Sequence, residues 1–316
     1  MQLVVLDGYP INPGDLSWDG IRNFGTLSVY DRTDPLMAAQ RMRGADIVLT
    51  NKCRVGREEL QASRNLRLVA VLATGYDVVD IKAAKELGIT VCNVPSYSTE
   101  AVAQLTFAHI LEHFSRVGQH SALVHKGAWA ASPDFTFWQI APRELNGLTL
   151  GILGCGQIGG RVAEMGRAFG MKIIGFSPSR RAGFAGDYVD LDALLKNSDV
   201  LTLHCPAKED TVGIINAENI AKMKDGALLI NTARGSLVVE RDIRDALESG
   251  KLSGYGTDVA SKEPISVHNP LIGANNCTVT PHYGWAPKSA RIRLLDVTAR
   301  NIQAFLNGQP QNVVNP

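Results

Sequence analysis

The chain has 316 residues, 45% of them hydrophobic and 20% charged, enough to bury the cores of two domains of ordinary size. Lys plus Arg number 32 and Asp plus Glu 31, so the overall field gives no reason to expect nucleic acid or a membrane surface as partner, and the ligand is expected to be small. Five cysteines, Cys53, Cys92, Cys155, Cys205 and Cys277, show neither CxxC pairing nor metal-ligand spacing, which fits a reducing, cytoplasmic setting without a metal site.

In chain order, short apolar runs rich in β-formers recur at 3–6, 27–30, 46–49, 68–72 and 90–94, with helix-like stretches between several of them. The first lacks the basic start and cleavage site of a signal peptide, and no apolar run reaches the roughly 18 residues of a membrane span. Strands that are apolar almost throughout, alternating with helices, predict a parallel sheet covered on both faces. A first α/β unit is therefore expected over about the first 95 residues.

A long helix follows, because Ala101, Val102, Leu105, Ala108, Ile110, Leu111, Phe114 and Val117 repeat at helical spacing, with Ser98 as candidate N-cap. Its apolar positions are wider than one face, which suits an interdomain spacer and a dimer surface equally. Residues 129–138, bounded by Trp129 and Trp138, have no period and predict an ordered loop. The α/β rhythm then resumes with six strands, at 148–153, 172–176, 199–204, 227–231, 254–258 and 278–281. Six is the number of a full dinucleotide-binding sheet. A helix over 289–305 and a polar tail close the chain.

Between the strand at 148–153 and the next helical stripe lies Gly154-Cys155-Gly156-Gln157-Ile158-Gly159. Isolated glycine turns are more often plain structure, but this one stands in the strand-turn-helix context that a dinucleotide site requires. Gly154 permits the tight turn, Gly156 lets a pyrophosphate approach the backbone, and Gly159 lets helix and strand pack closely. The phosphates would rest on N–H groups at the helix N-terminus, with Gln157 and Ile158 in its first turn. The following strand ends in Ser177 where an NAD site would carry an acid, and Ser177-Pro178-Ser179-Arg180-Arg181 offers hydroxyls and guanidinium forks to a 2′-phosphate. NADP(H) is therefore favoured, with NAD(H) as the alternative and a solvated basic loop as the plain reading.

Three further strands each end in a polar segment: Asn231-Thr232-Ala233-Arg234-Gly235, residues 258–264 with Asp258 and Glu263-Pro264, and Thr280-Pro281-His282-Tyr283-Gly284-Trp285. Ligands of open α/β sheets bind at such strand ends. Reduction of a 2-keto acid needs a carboxylate anchor and a polarised carbonyl, which Arg234 could provide, and a proton, which His282 could donate with Glu263 beside it. Taken singly, each residue also reads as a surface charge, a hydrogen-bonded structural histidine or a turn.

The ordered set, the glycine turn, Thr232-Ala233-Arg234-Gly235, Glu263-Pro264 and Pro281-His282, resembles the D-isomer-specific 2-hydroxyacid dehydrogenases over essentially the whole chain. The resemblance implies that Arg234 binds and polarises the substrate, His282 is the acid/base and Glu263 orients it. It also implies a carboxylate seat on the loop of Thr74, Gly75 and Tyr76, nicotinamide contact at Asp258, and a dinucleotide lined by Thr74, Cys205, Pro206, Thr211, Thr232, Ala233, His282 and Gly284. Cys205 is then packing. The implied fold has two Rossmann-like or flavodoxin-like parallel-sheet domains: a cofactor domain, 99–284, inserted into a substrate domain, 1–98 plus 285–316. The helix after Ser98 becomes both crossing and homodimer element, and the active site a cleft that closes on ligand.

Within the family, Thr50-Asn51-Lys52, the segment 93–99 and Asp134-Phe135 with Trp138 look most like glycerate dehydrogenases, also called hydroxypyruvate reductases. Lys52 and Tyr97 suit a short polar substrate, Trp138 or Trp285 could cap a small cavity, and Arg54 departs from the apolar residue expected after the Asn-Lys pair. Glyoxylate and pyruvate fit the same pocket. Readings of other kinds are a formate or phosphite dehydrogenase, a corepressor-like nucleotide sensor and a scaffolding dimer.

Overall fold

A computed structural model describes residues 1–316 and divides into two units, residues 1–98 with 286–316, and residues 99–285. The first unit runs β1 (Gln2–Val5), α1 (Asp19–Arg22), β2 (Thr26–Val29), α2 (Ala38–Met42), β3 (Ile47–Thr50), α3 (Arg57–Ala62), β4 (Leu68–Val71), α4 (Ile81–Glu86) and β5 (Thr90–Cys92). Its five strands are parallel, in the order β2-β1-β3-β4-β5. Every residue of β3 and β4 is buried, as apolar strands covered on both faces must be, whereas the edge strand β2 alternates.

The second unit begins with α5 (Thr99–Ser115) and α6 (Val117–His125), then β6 (Thr149–Leu153), α7 (Gln157–Ala168), β7 (Lys172–Phe176), β8 (Asp187–Tyr188), α8 (Leu191–Asn197), β9 (Val200–Leu203), α9 (Ala217–Lys222), β10 (Ala227–Asn231), α10 (Glu240–Glu248), β11 (Leu252–Thr257) and β12 (Cys277–Val279). The closing helix α11 (Lys288–Leu306) returns to the first unit, where Arg291 forks onto the Asp15 carboxylate at 2.7 and 2.8 Å.

The second sheet is parallel throughout, ordered β12-β11-β10-β9-β6-β7-β8. Counted from β6, this is the doubly wound order of dinucleotide-binding sheets, and it reverses direction between β6 and β9. It has seven strands rather than the six expected. The addition, β8, pairs only Asp187 and Tyr188 with β7, too short a run to leave a periodic pattern.

The long helix also differs from expectation, because the periodic run through Val117 breaks at Arg116, whose φ of 52° is left-handed. Two bonds offset that strain. Arg116 Nη1 donates to Asn276 Oδ1 at 3.1 Å, and the Gly118 amide donates to the Glu112 carboxylate at 3.3 Å, at the start of α6. No helix is long and apolar enough to cross a membrane.

Candidate active site

The glycine turn lies at the point where the strand order reverses. Gly154 has a φ of +100°, and a Cβ there would stand 2.5 Å from the Cys205 amide nitrogen, so the turn lies flush against the end of β9. A Cβ on Gly159 would stand 2.1 Å from the Gly154 carbonyl oxygen, so only glycine lets α7 start this close to β6. Gly156 differs from both. Its space is open to 4 Å, its φ of −73° is ordinary, and as N-cap of α7 it offers no side chain to the helix N-terminus. Such a cradle, with uncapped N–H groups and room a Cβ would take, fits a pyrophosphate.

Beyond β7, Ser177 is half-buried, and Ser179, Arg180 and Arg181 are exposed. Arg181 reaches back to donate from Nη1 to the Gly156 carbonyl at 3.4 Å, and Arg180 stacks 5.5 Å from the Tyr188 ring centroid. After β9, the Thr211 hydroxyl donates to the Pro206 carbonyl at 2.7 Å and closes the loop that begins at Cys205. Burial pushes the Cys205 thiol up to about 11, which keeps it protonated and unsuited to nucleophilic work.

At the end of β10, the fully buried Asn231 brackets its own turn. Its Oδ1 accepts from the Ala233 amide at 3.1 Å, and its Nδ2 donates to the Arg234 carbonyl at 2.9 Å. Thr232 bonds hydroxyl to hydroxyl with Thr106 of α5 at 2.9 Å. Gly235 is required because a Cβ there would stand 1.9 Å from the Ala260 carbonyl carbon. The Arg234 turn is thereby pressed against the segment that carries Glu263.

Glu263 accepts from the Ala260 amide at 3.2 Å through Oε1, and its Oε2 lies 2.7 Å from His282 Nδ1. A carboxylate only accepts, so Nδ1 carries the hydrogen and Nε2 is the nitrogen that can exchange a proton with a ligand. His282 is itself left-handed, with φ +53°, and its carbonyl accepts from Trp285 Nε1 at 2.8 Å.

Asp258, 3% exposed, holds this loop from beneath. Its Oδ1 accepts the Thr280 hydroxyl at 2.6 Å and the Tyr283 amide at 3.1 Å, and its Oδ2 accepts the Gly284 amide at 2.8 Å. Arg234, Glu263, His282, Asp258 and the glycine turn all belong to the unit of residues 99–285.

Lys52, Thr74, Gly75 and Tyr76 belong to the other unit, on loops at the carboxyl ends of β3 and β4. The Thr74 hydroxyl donates to the Val94 carbonyl at 2.8 Å. Sequence reasoning missed Asp7, whose buried carboxylate accepts the amides of Asn51 at 2.7 Å, Lys52, and Cys53 at 2.8 Å. Burial raises its pKa, and these backbone donors oppose the rise. Thr106 and His109 were missed as well, as was the bond from Thr280 to Asp258.

Residues 107–284 match the model of the D-isomer specific 2-hydroxyacid dehydrogenase NAD binding domain. The chain belongs to the D-isomer-specific 2-hydroxyacid dehydrogenase family. It is 48% identical to a hydroxypyruvate reductase of Blautia hydrogenotrophica over the whole of both chains, and 39% identical to a glycerate dehydrogenase of Methylorubrum extorquens over 90% of each. Among solved structures, D-lactate dehydrogenase of Aquifex aeolicus, complexed with NAD and lactic acid, superposes with a TM-score of 0.86 at 31% identity, covering 100% of this chain and 99% of that one. Like other members of the family, the chain is an oxidoreductase that uses a nicotinamide dinucleotide and acts on the CH–OH group of a small 2-hydroxy acid.

Proposed function

We propose that the chain is a hydroxypyruvate reductase that interconverts hydroxypyruvate and D-glycerate, with NADP(H) preferred to NAD(H). The observation that carries the chemistry is the Glu263–His282 bond, which leaves Nε2 as the proton-exchanging nitrogen. The Arg234 guanidinium anchors the substrate carboxylate and polarises the carbonyl, and His282 Nε2 delivers the proton to the carbonyl oxygen. The reduced nicotinamide, when bound, supplies the hydride. Lys52 and the amides around Gly75 bind the short polar substrate, while Gly154, Gly156, Gln157, Ile158 and Gly159 hold the pyrophosphate. The unit of residues 99–285 is read as the cofactor domain and the other as the substrate domain.

The cofactor preference rests on Ser177, which follows β7 without a negative charge, and on the basic pair Arg180 and Arg181 after it. We also propose a cytoplasmic homodimer. Val117, Phe135 and Trp138, exposed by 65%, 90% and 60%, place unburied apolar area along α6 and the loop after it, which a second copy would cover. Five free cysteines suit a reducing compartment.

The test is turnover of hydroxypyruvate, glyoxylate, pyruvate, formate and phosphite with each dinucleotide, followed at the nicotinamide absorbance. The highest kcat/KM is expected with hydroxypyruvate and NADPH. Oxidation of formate or phosphite without reduction of any keto acid would overturn the reading, and faster turnover of glyoxylate would reassign the substrate.

A further inference from the structure

α5 was read from sequence as a crossing and dimer element, yet it places a buried imidazole behind the catalytic loop. His109 is 4% exposed and lies flat on β11, where a Cβ on Gly256 would stand 2.9 Å from the His109 Cβ. Its Nδ1 is 2.8 Å from the Thr278 hydroxyl, and its Nε2 is 3.3 Å from the Thr280 hydroxyl. Thr280 in turn lies 2.6 Å from Asp258 Oδ1, whose carboxylate also holds the amides of Tyr283 and Gly284.

The direction of this chain follows from what each group can do. A carboxylate has no proton to give, so the short Thr280–Asp258 bond uses the Thr280 hydroxyl hydrogen. Thr280 Oγ1 must then accept from His109, which fixes the hydrogen on Nε2. Nδ1 is left as an acceptor and takes the Thr278 hydroxyl hydrogen. Every member has one consistent role, an arrangement in which successive bonds polarise and strengthen one another. Burial also lowers the pKa of His109, which favours the uncharged ring this polarity needs.

His282 is flanked by this anchorage, with the Thr280 side chain before it and the Tyr283 and Gly284 amides after it all bound to one carboxylate. We propose that His109 is a positioning residue that orients Asp258 through Thr280 and thereby holds the loop bearing His282 in its left-handed, Glu263-paired geometry. The proposal rests on the reading of His282 as acid/base. Misplacing a catalytic group by about 1 Å costs on the order of a hundredfold in rate, so slack at Asp258 should appear in kcat.

The experiment compares His109→Leu, which keeps volume but removes the donor, with His109→Gln, which returns an N–H donor near Nε2, and with Thr280→Val. Leu at 109 and Val at 280 are expected to lower kcat by about tenfold or more with KM changed less than threefold, and Gln to recover most of that loss. Amide exchange across residues 280–285, which does not depend on activity, should accelerate in the Leu and Val variants and not with Gln. A Leu variant within twofold of the parent in kcat, Gln no better than Leu, or unchanged exchange would overturn the proposal. Absence of turnover in the parent would instead sink the functional reading, and the exchange measurement would still decide the role of His109.

Discussion

His282 Nδ1 and Glu263 Oε2 lie 2.7 Å apart although the ring and the carboxylate come from loops after different strands. The bond selects one tautomer, with the hydrogen on Nδ1, and on the proposed function the other ring nitrogen exchanges the proton. Loss of the ring should therefore cost more than loss of its orienting partner. His282→Ala should lose roughly a hundredfold or more in kcat while binding NADPH as the parent does. Glu263→Gln, which can still meet Nδ1, should lose roughly tenfold. Stopped-flow turnover with dinucleotide binding followed by fluorescence reads both, and a Glu263→Gln enzyme slower than His282→Ala would reverse the assignment.

Two glycines three positions apart, Gly156 and Gly159, make opposite predictions. A Cβ at Gly159 meets the Gly154 carbonyl oxygen at 2.1 Å, so Gly159→Ala must open the turn and lower the melting temperature. At Gly156 the space is open, so Gly156→Ala should melt with the parent yet bind the dinucleotide at least tenfold more weakly, because the methyl occupies the pyrophosphate's approach. Calorimetry and binding titration on the pair separate fold from ligand, and tight binding by Gly156→Ala would move the pyrophosphate elsewhere.

Ser177→Asp places a carboxylate at the end of β7, where it would repel a 2′-phosphate and accept from a ribose hydroxyl. The ratio of kcat/KM for NADPH to that for NADH should fall by at least tenfold. An unchanged ratio would show that the phosphate is read by other groups.

Two half-buried histidines contribute to the acid limb of stability. His204, whose ring nitrogens are buried without partners, is pushed down to about 3 by burial. His113 is pushed down to about 4, first by burial and then by Arg116 and Arg143. Both folded values lie below the unfolded 6.5, so the unfolded chain binds the extra protons. Stability is complete above pH 6.5 and is lost as pH falls from there towards 4. Each group contributes about 1.4 kcal/mol per pH unit within that window. Urea midpoints at pH 7, 6 and 5 should decline, and His113→Gln should flatten the decline; equal midpoints for the parent would contradict it.

What the sequence revealed depended on distance along the chain. The glycine turn was legible because strand, turn and helix are contiguous, so each glycine's task follows from its neighbours. The order of the polar strand ends, with Arg234, Glu263 and His282, was legible once the strands were placed. Asp7 was not, because the amides it gathers lie 44 to 46 residues away, and an aspartate after a strand looks like any loop acid. His109 bonds across 169 and 171 residues and sits within an apolar helical stripe, where a lone imidazole carries no local signal of its partners. The turn at Arg116 left no mark, since a left-handed arginine carries no glycine to announce it.

The glycines of β11 carry a last consequence. Gly254 lies beneath the His113 ring, with a Cβ clearance of 2.3 Å, as Gly256 lies beneath His109. Strand and helix are therefore complementary as a key is to its ward, and neither can be exchanged alone. A side chain added to the strand evicts a histidine, and a smaller residue on the helix leaves a hollow over bare backbone. Whoever transplants this helix into a sister enzyme, or repacks this strand in a designed one, must move both positions together, as a single inheritable part.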